Sequence, residues 1–144
     1  MLTIFVHVFI ILTSIVSKND TIQSGTEKKP NVIIFIADDF GYGSTNIYGA
    51  QEALIKTPNV NKLAKEGVKF TNAYTTGSVC TPTRYALLTG QYSWRSRLKK
   101  GVVNMNDPAL IDVERKTLPK YMQSLGYKTA MVGKWHLGFK EEKF

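Results

Sequence analysis

The chain carries a single cysteine, Cys80, inside Ser78-Val79-Cys80-Thr81-Pro82-Thr83-Arg84-Tyr85-Ala86-Leu87-Leu88-Thr89-Gly90. A lone thiol has no intrachain disulfide partner, and in an arbitrary context it packs as a small hydrophobe. This context points to reactivity instead. Pro82 suits the first turn of a helix, where no backbone N–H is needed, and Gly90 stops the helix that Tyr85 to Leu88 continue. Cys80 is thereby expected at a helix N-terminus, where unpaired N–H groups and the positive end of the dipole favour developing negative charge or a bound oxyanion. Arg84, four residues on, falls on the same face as Cys80 and brings a guanidinium beside the reactive atom.

Two further groups have the types and spacing of a site. Asp38 and Asp39 end the apolar run Val32-Ile33-Ile34-Phe35-Ile36-Ala37. Adjacent carboxylates repel and need a cation or hydrogen-bond donors to stay ionised. Hard oxygen ligands of this kind suit Ca²⁺ or Mg²⁺, and open α/β sheets place their sites at the carboxyl ends of parallel strands. The pair is equally readable as a turn cap at Asp38 with Asp39 in solvent. Lys134 and His136 lie two apart in Gly133-Lys134-Trp135-His136. If that segment is extended, period-two alternation points both to one face and Trp135 to the other.

The Cys-x-Pro-x-Arg core with its apolar pair and Thr-Gly, here Cys80, Pro82, Arg84, Leu87-Leu88 and Thr89-Gly90, resembles the first signature of the sulfatases. Gly126-Tyr127-Lys128-Thr129-Ala130-Met131-Val132-Gly133-Lys134-Trp135-His136 resembles their second. The resemblance implies an α/β, alkaline-phosphatase-like fold with a mostly parallel sheet and flanking helices. It implies that Cys80 is oxidised to formylglycine by a dedicated formylglycine-generating enzyme, and that the hydrated aldehyde attacks a sulfate ester. Asp38, Asp39 and the oxidised Cys80 would contact a Ca²⁺ or Mg²⁺ ion. Arg84 would position the nucleophile, Lys134 would bind sulfate and the nucleophile's oxygen, and His136 would hydrogen-bond the formylglycine hydroxyl. One hydroxyl of the hydrate attacks sulfur and the other, losing its proton, expels sulfate; a thiol lacks that second hydroxyl.

The elements that must position these groups follow from local signals. Val32 to Ala37 has the continuous apolar pattern of a strand buried on both faces. Thr57-Pro58 opens a short amphipathic helix that Gly67 closes, and Val68 to Tyr74 alternates like a strand. Thr117-Leu118-Pro119 opens another helix, closed by Gly126, after which Lys128 to Val132 reads as a strand. That cadence is an α/β sheet with covering helices. Gly41, Tyr42 and Gly43 read as turn chemistry, since their spacing is neither a P-loop nor a dinucleotide fingerprint.

With 144 residues, 43% hydrophobic and 21% charged, the composition is globular. Residues 1–17 carry no charged side chain, and Leu2 to Val16 is an apolar run with the layout of a secretory signal peptide, too short for a stable membrane span. Residues 18–30 are a polar, flexible lead-in containing the Asn19-Asp20-Thr21 sequon, and residues 31–144 are the domain. A secreted or lysosomal destination is expected. The net charge of +8 includes a cluster at Arg95, Arg97, Lys99 and Lys100 that reads as a solvated loop face. No basic run interleaves with stacking aromatics, so nucleic acid is not an expected partner.

The family's fold is considerably longer than this chain, and its remaining metal and sulfate ligands lie downstream of the second signature. The chain is therefore expected to be an N-terminal part of the catalytic domain, truncated and inactive by itself. The alternatives are a secreted remnant without activity, and a phosphoryl-transfer hydrolase of the alkaline-phosphatase type, whose usual Ser or Thr nucleophile Cys80 does not match. Whether the sulfate ester is aryl, steroid or carbohydrate is not encoded in these residues.

Overall fold

The computed structural model describes residues 29–139. The expected signal peptide, the sequon at Asn19 and most of the lead-in lie outside the described residues. The chain divides into two units, residues 1–35 and 36–144. The described part of the first, residues 29–35, is exposed and has no helix or strand.

The second unit contains three α-helices: α1 (Pro58–Glu66), α2 (Cys80–Thr89) and α3 (Leu118–Ser124). Short 3₁₀ turns at Tyr42–Ser44, Asn46–Tyr48 and Ser93–Arg95 complete its regular structure. Each helix shows the punctuation of its sequence. Proline occupies the first turn of α1 and α3. Gly90, at φ +66°, closes α2 with its N–H donated to the Ala86 carbonyl, a left-handed position that glycine fills without a Cβ penalty. Thr117 caps α3 by accepting the Lys120 N–H. Thr57 sits at the same place before α1 but is used differently. Its hydroxyl donates to Asn46 Oδ1 at 3.0 Å and accepts the Asn46 N–H at 3.1 Å. The Asn46 amide in turn donates to the carbonyls of Ala50 and Ile55, so the threonine clasps a loop.

No strand is present among the described residues, so the mostly parallel sheet expected from the apolar runs is not seen there. A strand exists only through the ladder it makes with a neighbour. Val32 to Ile36 is exposed throughout, and so is Val132. The 68–74 segment is held by side chains instead: Tyr48 Oη donates to Phe70 O, and Lys69 Nζ donates to Ile47 O.

The core of the second unit is small. Tyr85, Val103, Leu110 and Leu137 are almost fully buried, with Leu88, Leu98, Ile111 and Trp135 packed against them. Burying each such side chain contributes about 1.5–3 kcal/mol. Tyr85 comes from α2 and Leu137 from the loop after Gly133, so the same contacts that stabilise the unit hold that loop against the helix. The Leu110 N–H donates to the Leu137 carbonyl at 2.8 Å, and Trp135 Nε1 donates to Gly138 O at 2.9 Å.

Candidate active site

Cys80 is the first residue of α2. The loop leading to it is pinned to the helix's own first turn. Thr76 Oγ1 donates to the Pro82 carbonyl and Thr83 Oγ1 donates to the Gly77 carbonyl. A Cβ on Gly77 would lie 2.9 Å from Pro82 Cβ, so only glycine lets the loop lie this close. The thiol is thereby held half-buried at the helix end, facing a cleft of about 180 Å³ lined by Ala37, Asp38, Asp39, Thr75 and Arg84 among others. That is several times the ~30 Å³ of one water.

Two groups distant in sequence close on the sulfur, and Arg84 from the same helix braces both of them. Lys134 Nζ lies 3.1 Å from Cys80 Sγ and 2.6 Å from Asp38 Oδ2. The thiol lies 3.3 Å from Asp38 Oδ1. Arg84, with only 12% of its side chain exposed, sets one guanidinium nitrogen 3.3 Å from the same oxygen and donates another N–H to the Lys134 carbonyl. The guanidinium fork spans two acceptors, which a point-like ammonium does not. The hydrogen bond from Lys134 is the main reason the Asp38 carboxyl is held down to about 2, with those from Cys80 and Arg84 adding to it. Lys134 is raised above its ordinary value by the reciprocal bond to Asp38.

Asp39 is different. No ion pair among the described residues engages it, and its backbone sits at φ +52°, a left-handed conformation that aspartate tolerates better than most side chains. One ligand atom each from Asp38, Asp39 and Cys80 lies within 4.8 Å of the others. Donors so spaced fit around a cation that binds oxygen at ~2.3–2.6 Å. The two carboxylates suit Ca²⁺ or Mg²⁺, whereas a thiol is a soft donor that selects other metals. The set fits a hard cation once position 80 presents oxygen.

His136 departs from the expected arrangement. The segment is a loop with Gly133 at φ +107° and His136 at φ +54°, so Lys134 and His136 do not share a face as alternation in a strand would give. The His136 ring meets the Val103 carbonyl through Nε2 at 3.0 Å, and no hydrogen bond joins it to Cys80. A carbonyl only accepts, so Nε2 carries a proton, and in the neutral ring the lone pair is on Nδ1. That Nδ1 is buried and without a partner among the described residues.

The basic cluster is partly tied down. Arg97 donates to the Pro108 carbonyl and Lys99 to the Trp94 carbonyl, and the Tyr92 and Trp94 rings stack on one another at 4.1 Å. Thr81 and Val103, which link Cys80 to the His136 loop, were not singled out by the sequence. Nothing in their spacing marks them, because Thr81 reaches Val103 across 22 residues and His136 across 55.

The site thus gathers a thiol at a helix N-terminus, two cations and an acidic pair. Residues 30–143 match the family model Sulfatase, and the chain belongs to the sulfatase family. It is 44% identical over 111 residues to an N-acetylgalactosamine-6-O-sulfatase of Bacteroides thetaiotaomicron, covering 77% of this chain and 21% of that protein. It is 40% identical to arylsulfatase J of Mus musculus, covering 81% of this chain and 19% of the relative. It is also 40% identical to human arylsulfatase A, covering 77% and 22%. The chain thus spans about a fifth of the length of these relatives. Membership in the family implies its alkaline-phosphatase-like α/β fold. Among the described residues no helix is long and apolar enough to cross a membrane.

Proposed function

We propose that residues 31–144 are the nucleophile-bearing part of a sulfuric ester hydrolase acting on aryl or carbohydrate sulfates. The reading further holds that Cys80 is converted to formylglycine by a formylglycine-generating enzyme. It assigns residues 1–17 to a signal peptide that carries the protein into the secretory pathway, for secretion or a lysosomal fate, with 18–30 as a lead-in. One observation supports it above the others: Asp38 and Lys134, 96 residues apart, both meet the Cys80 sulfur, with Arg84 paired to the same Asp38 carboxylate.

Formylglycine and a bound Ca²⁺ (or Mg²⁺) would supply an oxygen nucleophile at position 80 and a dication to neutralise charge on a sulfate ester. Asp38, Asp39 and the oxidised Cys80 would hold that ion. The chain's own groups do the rest. Lys134 and the N-terminus of α2 present N–H donors and positive charge to a sulfate ester, an arrangement that lowers the energy of charge building on its oxygens. Arg84 fixes the Asp38 carboxylate and the Lys134 backbone at once, so neither drifts when substrate enters. His136 accepts a proton or a hydrogen bond at Nδ1, with its tautomer set by Val103.

The test is to co-express the hydrolase of which residues 31–144 are the proposed part with a formylglycine-generating enzyme, weigh the peptide containing Cys80, and assay sulfate release from nitrophenyl sulfate with Ca²⁺ present and chelated. Conversion at Cys80 with Ca²⁺-dependent release is the expected result. An intact thiol after co-expression overturns the reading.

A further inference from the structure

Thr81 is fully buried, at 0% exposure, yet it is polar and sits beside the half-buried Cys80. Its hydroxyl both donates and accepts. Oγ1 donates to the His136 carbonyl at 2.9 Å and accepts the Val103 N–H at 3.3 Å. Val103 in turn accepts the His136 ring N–H on its carbonyl at 3.0 Å. Thr81, Val103 and His136 therefore form a closed ring of three hydrogen bonds, and His136 takes part in it through both its backbone and its imidazole.

The helix that carries Cys80 grips the Lys134 to His136 loop at two carbonyls. Arg84 takes that of Lys134 and Thr81 takes that of His136. His136 is at φ +54°, a sparsely populated conformation that persists only where its surroundings fix it. Burial keeps water from substituting for the hydroxyl, so the loss of Oγ1 leaves two backbone groups unsatisfied.

We propose that Thr81 is a positioning residue of this site: its hydroxyl locks the Lys134 to His136 loop onto the nucleophile helix, setting Lys134 Nζ and the His136 tautomer relative to Cys80. The activity arm of the test rests on the sulfatase reading; the spectroscopic arm does not. Misplacing catalytic groups by about 1 Å costs up to ~100-fold in rate.

The experiment, in the same hydrolase that the proposed function tests, compares Thr81→Val, which keeps the shape and removes the hydroxyl, with Thr81→Ser, which keeps the hydroxyl and removes the methyl. Thr81→Val is expected to keep its near-UV circular dichroism, to lose the protected ring N–H signal of His136 in nitrogen-edited NMR, and to fall about 10–100-fold in nitrophenyl sulfate turnover. Thr81→Ser is expected to match the parent in all three. A protected His136 ring N–H and unchanged turnover in Thr81→Val overturn the proposal, and so does damage in Thr81→Ser, which would make the methyl the important group. Loss of the fold in Thr81→Val also overturns it, because the hydroxyl would then hold the whole unit and not the loop. If the parent protein releases no sulfate, the sulfatase reading fails while the His136 signal still decides the role of Thr81.

Discussion

Lys134 Nζ lies 2.6 Å from Asp38 Oδ2, joining residues 96 apart in the chain. The same ammonium touches Cys80 Sγ at 3.1 Å, so one cation bridges a carboxylate and the thiol. This bridge joins two motifs that are otherwise separate in sequence.

Lys134→Met is expected to raise the Asp38 carboxyl from about 2 toward its ordinary 3.8, stopping short because Cys80 and Arg84 still donate to it. A carboxyl lowered on folding stabilises the folded state above 3.8 and loses that contribution as pH falls through about 2. Lys134, raised on folding, contributes below 10.5 and loses its contribution as pH rises through its higher folded value. The bridge is therefore intact between those limits. Titrating the Asp38 carboxyl carbon by NMR in parent and variant checks the shift; an unmoved value in Lys134→Met would show that the ammonium is not its main cause.

Asp39→Asn addresses the cation. Asp39 has no salt-bridge partner among the described residues, and asparagine tolerates its φ of +52° as well as aspartate does, so the fold is expected to stay. Ca²⁺ or Mg²⁺ loses a charged oxygen ligand, and its affinity is expected to drop by at least the roughly 10–100-fold that losing even a supporting group costs. Calorimetric titration of the formylglycine-bearing protein measures it. Equal affinity in parent and variant would remove Asp39 from the ligand set.

The parts of this architecture that sequence makes legible are those with local causes. Proline at the start and glycine at the end of α2 are neighbours of the residues they constrain, so Cys80 at a helix N-terminus follows from thirteen consecutive letters. The role of Thr57 was half legible. Its place before Pro58 is local, but its hydroxyl goes to Asn46, eleven residues away. Strands are the opposite case, because an apolar run becomes a strand only with a partner, and Val32 to Ala37 has none among the described residues. His136 misled alternation for a related reason: its positive φ turns the ring to Val103, and nothing in Lys-Trp-His announces that turn. The convergence of Asp38, Arg84 and Lys134 is visible in sequence only through resemblance to the sulfatases.

Gly138→Ala should be costly out of proportion to its size. A Cβ there would stand 2.2 Å from the Pro108 carbonyl oxygen and 2.8 Å from its carbon, with the backbone at φ +81°. The obstacle is backbone, which has no rotamer to yield. The left-handed conformation alone costs a non-glycine residue about 1–3 kcal/mol, and the clash adds to it by pushing the loop that bears Leu137 off the core. Urea unfolding is expected to show a loss of at least about 1–3 kcal/mol, with the His136 resonances moved. A variant as stable as the parent would mean that the 107–108 segment moves aside freely.

Cys80→Ser separates a site that needs formylglycine from one that works with any small nucleophile. Serine keeps the position, the helix N-terminus and nearly the volume of cysteine, and its hydroxyl accepts from Lys134 as the sulfur does. The fold and the lowered Asp38 carboxyl are therefore expected to survive, since Lys134 and Arg84 still donate to it. Serine brings one hydroxyl where a hydrated aldehyde brings two, so the residue attacked at sulfur has no second oxygen from which to expel the product. In protein that converts Cys80 and hydrolyses nitrophenyl sulfate, the substitution is expected to lower turnover by at least about 1,000-fold, with substrate binding little changed because Lys134 and the α2 N–H groups remain. Steady-state turnover, with the binding of inorganic sulfate followed in parallel, is the measurement. Retained turnover in Cys80→Ser would show that a single hydroxyl suffices and would remove the reason for oxidising the cysteine.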